Sequence, residues 1–113
     1  MRFLNFGSLN LDMVYQMEHF IRKGETFAAS RLDKFAGGKG LNQSIAIAKA
    51  GASVFHAGNI GADGAPLIQA LREAGVDTRY VRTVDEVTGH AVIQVDRTGE
   101  NSIILYTGAN GAV

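Results

Sequence analysis

Three glycines in four positions surround a lysine at Gly37-Gly38-Lys39-Gly40, with Leu41-Asn42-Gln43 following at once. Without a Cβ, Gly37, Gly38 and Gly40 can adopt positive φ and let a ligand come close to the main chain. A small-residue run ending at Gly51 comes next, and a helix starting there leaves backbone N–H donors facing outward. Lys39 and Asn42 add a charged donor and an amide at the mouth of the turn. Upstream, Asn10 and Asp12 stand two residues apart, so in extended chain their side chains point to one side. An amide and a carboxylate so placed suit the hydroxyls of a sugar. The same two residues also suit an Asx-type turn bonded only to nearby backbone.

Two phosphate-binding patterns fail on spacing. A P-loop would need glycine at Asp33 and a hydroxyl at Gly40, so its Mg²⁺ ligand and half its cradle are missing. A dinucleotide fingerprint beginning at Gly38 and Gly40 meets Gln43 where its third glycine belongs.

The elements that hold these residues follow from periodicity. Arg2 to Gly7 is a short apolar run ending in Gly7-Ser8, which predicts a buried parallel strand opening into a ligand-binding loop. From Met13 to Arg31 there is no helical period; the alternation, a turn at Lys23-Gly24-Glu25 and a second extended run over Thr26 to Leu32 predict an inserted hairpin. Its methionines suit a poorly hydrated cover and equally suit ordinary packing. Lys39 to Ala50 predicts a helix with Leu41, Ile45 and Ala48 in one stripe and Gly51 as its C′ residue. Ser53 to Gly58 predicts a second parallel strand. A glycine loop over 58–64 then leads to a helix with Leu67, Ile68, Leu71 and Ala74 on one face, Asp63 as its cap, and Gly75-Val76 closing it. Thr78 to Thr83 reads as an edge strand. Gly89 to Val95 and Ser102 to Tyr106 read as a hairpin apolar on both faces, which calls for cover on both.

Composition limits the classes. The 113 residues suffice for one core, burying roughly two thirds of the unfolded surface. Eleven basic side chains balance eleven acidic ones, so no electrostatic footprint for nucleic acid or an anionic membrane is present. There is no cysteine, which excludes disulfides, thiolate metal sites and a thiol nucleophile. The run Met1 to Leu9, broken by Arg2 and Asn5, is too short for a secretory or membrane-spanning segment, and a cytoplasmic protein is expected. His19, His56 and His90 are scattered, so His56 reads as a hydrogen-bonded structural residue and no protein metal site is legible.

Gly7-Ser8-Leu9-Asn10-Leu11-Asp12 followed by Gly37-Gly38-Lys39-Gly40-Leu41-Asn42-Gln43 resembles the amino-terminal signature of the ribokinase-like branch of the PfkB-type carbohydrate kinases. The likeness continues through Gly61-Ala62-Asp63 to Thr107-Gly108-Ala109-Asn110, so it covers essentially the whole chain. One departure is Pro66, where the family often has a further glycine.

The resemblance implies the amino-terminal part of a three-layer αβα, Rossmann-like α/β fold with a small β-sheet lid, its strands at about 13–35 and 89–106. It implies ATP- and Mg²⁺-dependent phosphorylation of a sugar hydroxyl, with ribose or a similar sugar as substrate and a homodimer formed through the lid. The positions it assigns to sugar binding are Asn10, Asp12, Gly38, Lys39 and Asn42, with Asn110 nearby as a further candidate. It also implies a distant Gly-Ala-Gly-Asp motif carrying the general base and the anion hole. That motif does not occur in this sequence, so residues 1–113 are expected to be the sugar-binding portion, to hold no catalytic or nucleotide-binding residue, and to be inactive alone. The alternative is a truncated sugar-binding or dimerisation module without catalysis.

Overall fold

A computed structural model describes residues 1–112. Strand β1 (Arg2–Phe6) leads into β2 (Asn10–Gln16), β3 (Arg31–Gly37) and helix α1 (Lys39–Lys49). Strand β4 (Ser53–Ile60), helix α2 (Ala65–Glu73) and strand β5 (Asp77–Thr83) follow. The hairpin of β6 (His90–Val95) and β7 (Asn101–Tyr106) then runs into a 3₁₀ turn at Gly108–Gly111. The strands divide into two sheets. One is three-stranded, in the order β1-β4-β5 and parallel throughout. The other is four-stranded, β3-β2-β6-β7, with β2 parallel to β6 and antiparallel to β3.

Both helices pack on the same core. Leu41 from α1, Leu67 and Leu71 from α2, and Val54, Ile60 and Val76 form one buried cluster with Leu9. The helix stripes read from the sequence are the stripes that pack: Ile45, Ala48, Ile68 and Ala74 lie partly buried against that cluster. Each helix ends in a glycine of positive φ, Gly51 and Gly75. After α2, the Val76 N–H donates to the Leu71 carbonyl at 2.9 Å and the Gly75 N–H to that of Arg72 at 3.0 Å, a Schellman closure.

The observed strand β1 is parallel, as expected, but it is not buried. It pairs only with β4, and its Leu4 and Phe6 are 68% and 69% exposed. These side chains alternate with Asn5, which faces α1, so they occupy the opposite side of the sheet. Phe55 and Tyr80, with ring centroids 5.8 Å apart, share the small cleft on that side with Leu4. The described residues therefore supply one helical layer of the α/β fold.

Two further expectations shift. Thr26 to Ser30 is not strand; the second lid strand starts at Arg31 and runs into the glycine loop itself. The turn at Gly24 (φ +78°) does form, with the Glu25 N–H donating to the Arg22 carbonyl at 3.0 Å. Around it the Glu25 carboxylate accepts from the Arg22 N–H at 2.7 Å, and Gln94 Oε1 accepts from the Ile21 N–H at 2.8 Å. The β2–β3 ladder itself stops at Gln16 opposite Arg31, where the Ser30 N–H donates to the Gln16 carbonyl at 2.9 Å, and residues 26–30 lie beyond it. Asp63 also does not cap α2. Its Oδ1 accepts from the Thr88 N–H at 2.9 Å and hydroxyl at 2.6 Å, while Gly64 takes the N-cap position without a side-chain bond. Those bonds hold the Asp63 carboxyl below its ordinary pKa.

His56 is fully buried within β4 and ties three elements together. Its Nδ1 lies 2.7 Å from Ser44 Oγ on α1, and its Nε2 lies 3.1 Å from the carbonyl of Gly7, just past β1. The carbonyl can only accept, so Nε2 carries the proton and Nδ1 accepts from the hydroxyl. Asn5 Nδ2 donates to the same Ser44 Oγ at 3.0 Å and to the Gly40 carbonyl at 2.9 Å. Burial lowers the His56 pKa from its ordinary 6.5. The unfolded chain then binds the extra proton first, so stability falls as pH drops through the unfolded value. His56→Phe is expected to lose about 1 to 3 kcal/mol at neutral pH by leaving Ser44 and the Gly7 carbonyl unsatisfied. Between about pH 7 and about pH 5, its melting temperature should fall less than that of the parent. Equal slopes in thermal melts across that range would refute this role.

Candidate functional site

Ser8 lies in the short segment between β1 and β2, and its carbonyl accepts the Leu41 N–H at 3.0 Å while its Oγ accepts that of Gly40 at 3.4 Å. Two donors of the first turn of α1 are thus already used, so the N-terminus of α1 is tied to the end of β1. That contact requires glycine. A Cβ on Gly7 would stand 2.7 Å from Gly40 Cα, and one on Gly40 would fall on the Gly7-Ser8 peptide. Only Gly38 of the loop has positive φ, at +100°, and a Cβ there would lie 2.8 Å from the Ser8 carbonyl oxygen. Gly37 is needed for a different reason: a Cβ on it would occupy the place of the Asp12 carboxylate.

Asn10 and Asp12 are strand residues, opposite Gly37 and Phe35 across the β2–β3 ladder. The Asx-turn alternative is thereby removed, because the backbone here pairs with neighbouring strands; the Leu11 N–H, for example, donates to the Gly89 carbonyl at 2.9 Å. Their shared direction survives, and both side chains line a single open cavity of about 520 Å³. Gly38, Lys39 and Asn42 line it from the glycine loop and α1, and Asn110 from the 3₁₀ turn, so all the positions singled out in the sequence are brought together.

The lid face beyond Asp12 is apolar. Ala91 and Ile93 of β6 and Ile103 and Leu105 of β7 face the cavity, in register with one another and with the Asp12 side of β2. Sequence reasoning missed these residues, as it missed Ser8 and Thr107, which also line the cavity. The signal available was the alternation along β6 and β7, which does not say which of two apolar faces meets a ligand. Partial burial raises the Asp12 pKa above its ordinary 3.8. Among the described residues no group of three or more His, Asp or Glu side chains is placed to hold a metal ion, and no helix is long and apolar enough to cross a membrane. Polar side chains beside an apolar strip can accept a small ligand that presents both hydroxyls and C–H groups.

Residues 3–113 match the family described as pfkB family carbohydrate kinase. The chain belongs to this family. Among curated members, the ribokinase of Haemophilus influenzae is 42% identical over 107 residues, covering 92% of this chain and 35% of the relative. The ribokinase of Arabidopsis thaliana is 40% identical over 109 residues, covering 92% of this chain and 29% of the relative. The chain thus spans about a third of the length of the curated relatives it matches. Among solved structures, ribokinase from Cryptococcus neoformans in complex with ADP superposes with a TM-score of 0.93 at 48% identity, covering 99% of this chain and 36% of that one. Arabidopsis thaliana ribokinase complexed with ribose and ATP gives 0.89 at 39% identity, covering 96% and 36%. The fold is therefore the ribokinase-type α/β fold.

Gly40→Ala is expected to destabilise the chain by about 1 to 3 kcal/mol in denaturant unfolding, because the added methyl meets backbone that cannot move aside. The Asp12 carboxyl should titrate above 3.8 when followed by carbon NMR. A midpoint at or below that value would mean that the carboxylate is better solvated, or better paired, than this geometry provides.

Proposed function

We propose that residues 1–113 form the sugar-binding part of an ATP-dependent carbohydrate kinase whose substrate is ribose or a closely similar sugar. The observation that carries the reading is the convergence of Asn10 and Asp12 from β2 with Gly38, Lys39 and Asn42 from the start of α1 in one cavity. In it, Asp12 accepts from a sugar hydroxyl, Asn10 and Asn42 bridge hydroxyls through their amides, and Lys39 donates to one. The Gly38 backbone makes close contact because nothing projects from its Cα. Ala91, Ile93, Ile103 and Leu105 cover the C–H face of the ring and exclude water. The ribokinase relatives, and the Arabidopsis thaliana structure complexed with ribose and ATP, support this choice of sugar.

ATP supplies the transferred phosphoryl group in this reading, with Mg²⁺ as its companion ion. Neither the nucleotide nor the ion is assigned to residues 1–113 in this proposal. The division of labour follows: this part binds and orients the sugar, and the general base and anion hole come from elsewhere in the intact protein. Residues 1–113 alone are then inactive. The cytoplasm is the compartment this reading assigns to the reaction.

The lid has a second role in the proposal. On β7, Ile104 is 63% exposed and alternates with the cavity-facing Ile103 and Leu105. An outer strand this apolar needs cover, and a second copy of the lid supplies it in a homodimer. Ile104→Glu should shift the intact protein toward monomer in sedimentation equilibrium. An unchanged mass would remove the lid as the interface.

For the site itself, Asp12→Ala and Asn42→Ala in the intact protein should each lose about 1 to 3 kcal/mol in kcat/KM for ribose. Steady-state kinetics with ribose varied at saturating ATP makes the comparison. If both variants match the parent, the sugar is bound elsewhere.

A further inference from the structure

Asn110 lines the cavity, but its side chain is already committed. Its Oδ1 accepts from the Leu9 N–H at 2.9 Å, and its Nδ2 donates to the Leu9 carbonyl at 3.2 Å and to Asn10 Oδ1 at 2.8 Å. Both amide hydrogens are therefore spent, and no N–H is left for a ligand. The direction of these bonds is dictated by backbone. Leu9 offers one N–H and one C=O, and neither can exchange roles, so the Asn110 amide has one satisfiable orientation. Its second N–H then requires an acceptor, which fixes the Asn10 oxygen toward Asn110 and leaves the Asn10 NH₂ for the cavity.

The bridge is held on both sides. Ala109 is fully buried and its N–H donates to the Val87 carbonyl at 2.8 Å, which anchors the turn carrying Asn110. Gly89 forms the other wall, where a Cβ would collide with Asn110 Nδ2 and stand 2.8 Å from Asn10 Oδ1.

We infer that Asn110 is a positioning residue that acts through Asn10, locking its amide as a hydrogen-bond donor toward the bound ligand. The inference rests on the sugar-binding reading of the cavity. It makes this corner of the site selective for a group with a free lone pair, such as a hydroxyl or ring oxygen. A protonated amine at the same place has no lone pair to offer and is rejected.

The test is a double-mutant cycle on ribose binding by the intact protein, measured by calorimetry, with side-chain amide ¹⁵N relaxation of Asn10 in the ligand-free state. Asn110→Ala should weaken ribose binding roughly tenfold and should add nothing in the Asn10→Ala background, because contacting residues on one path are non-additive. It should also free the Asn10 amide on the picosecond to nanosecond timescale. An equal loss in both backgrounds would mean direct ligand contact or general loosening, and overturns the inference. So does an Asn10 amide that stays as ordered without Asn110 as with it. If the parent does not bind ribose, the sugar reading fails, and the relaxation comparison alone decides whether Asn110 orients Asn10. Should Asn110→Ala not fold, Gly89→Ala, which wedges the two amides apart, replaces it in the same cycle with the same outcomes.

Discussion

The structure depends on one contact between backbones: the Gly7-Ser8 peptide lies directly against Gly40 at the start of α1. No side chain fits between them, so the end of β1 and the first turn of α1 behave as one rigid joint. Ser8 bonds to that turn with its carbonyl and its hydroxyl. Half-buried Asn5 and the fully buried Ser44 and His56 form a polar chain beneath it, reaching the carbonyls of Gly40 and Gly7. Such a network is strong only when every member is satisfied, and the described residues leave no buried side-chain nitrogen or oxygen without a partner. The joint sets the height of Lys39 and Asn42 above the sheet edge, and so sets the floor of the cavity.

The cavity is shared between two sheets. Lys39 and Asn42 belong to the layer that carries the core, whereas Asn10, Asp12 and the apolar wall belong to the four-stranded lid. The polar side chains therefore come from both units, which are joined through Leu9 and the glycine loop, while the apolar strip belongs to the lid alone. Leu9 is buried in the core cluster while its neighbour Asn10 begins the lid strand. Asn110 grips both sides of this hinge point, since it bonds the Leu9 backbone and the Asn10 side chain together.

Much of this was legible in the sequence, and for identifiable reasons. The helix stripes around Leu41 and Leu67, the glycine closures at Gly51 and Gly75, and the late hairpin each follow from a local rule acting over a few residues. The shared direction of Asn10 and Asp12 also follows from the two-residue period of extended chain. What stayed hidden depends on partners distant in sequence. Asp63 looked like a helix cap because the sequence does not show that Thr88 will arrive beside it with two donors. The segment Thr26 to Ser30 looked extended because nothing local reveals that its pairing with β2 stops at Gln16, whose carbonyl takes both the N–H and the hydroxyl of Ser30. The exposure of β1 was missed because an apolar run is silent about which of its two sides finds a partner. Asn110 was legible as a candidate for the cavity, but its bonds to Leu9 and Asn10 cross a hundred positions of chain.

The lid has a consequence for how the chain assembles. Its central pair, β2 and β6, is parallel and brings Leu11 opposite His90 and Gln16 opposite Val95. The β2–β3 hairpin can form from residues close in sequence, but its inner edge stays unpaired until residues 90–95 have been made. Helix α1, strand β4, helix α2 and strand β5 all lie between the two partners in the chain. Pairings this far apart close slowly because the loop entropy must be met before any contact compensates it. The lid over the cavity is therefore complete only once residues 90–106 are in place, because β2 has no second neighbour without β6.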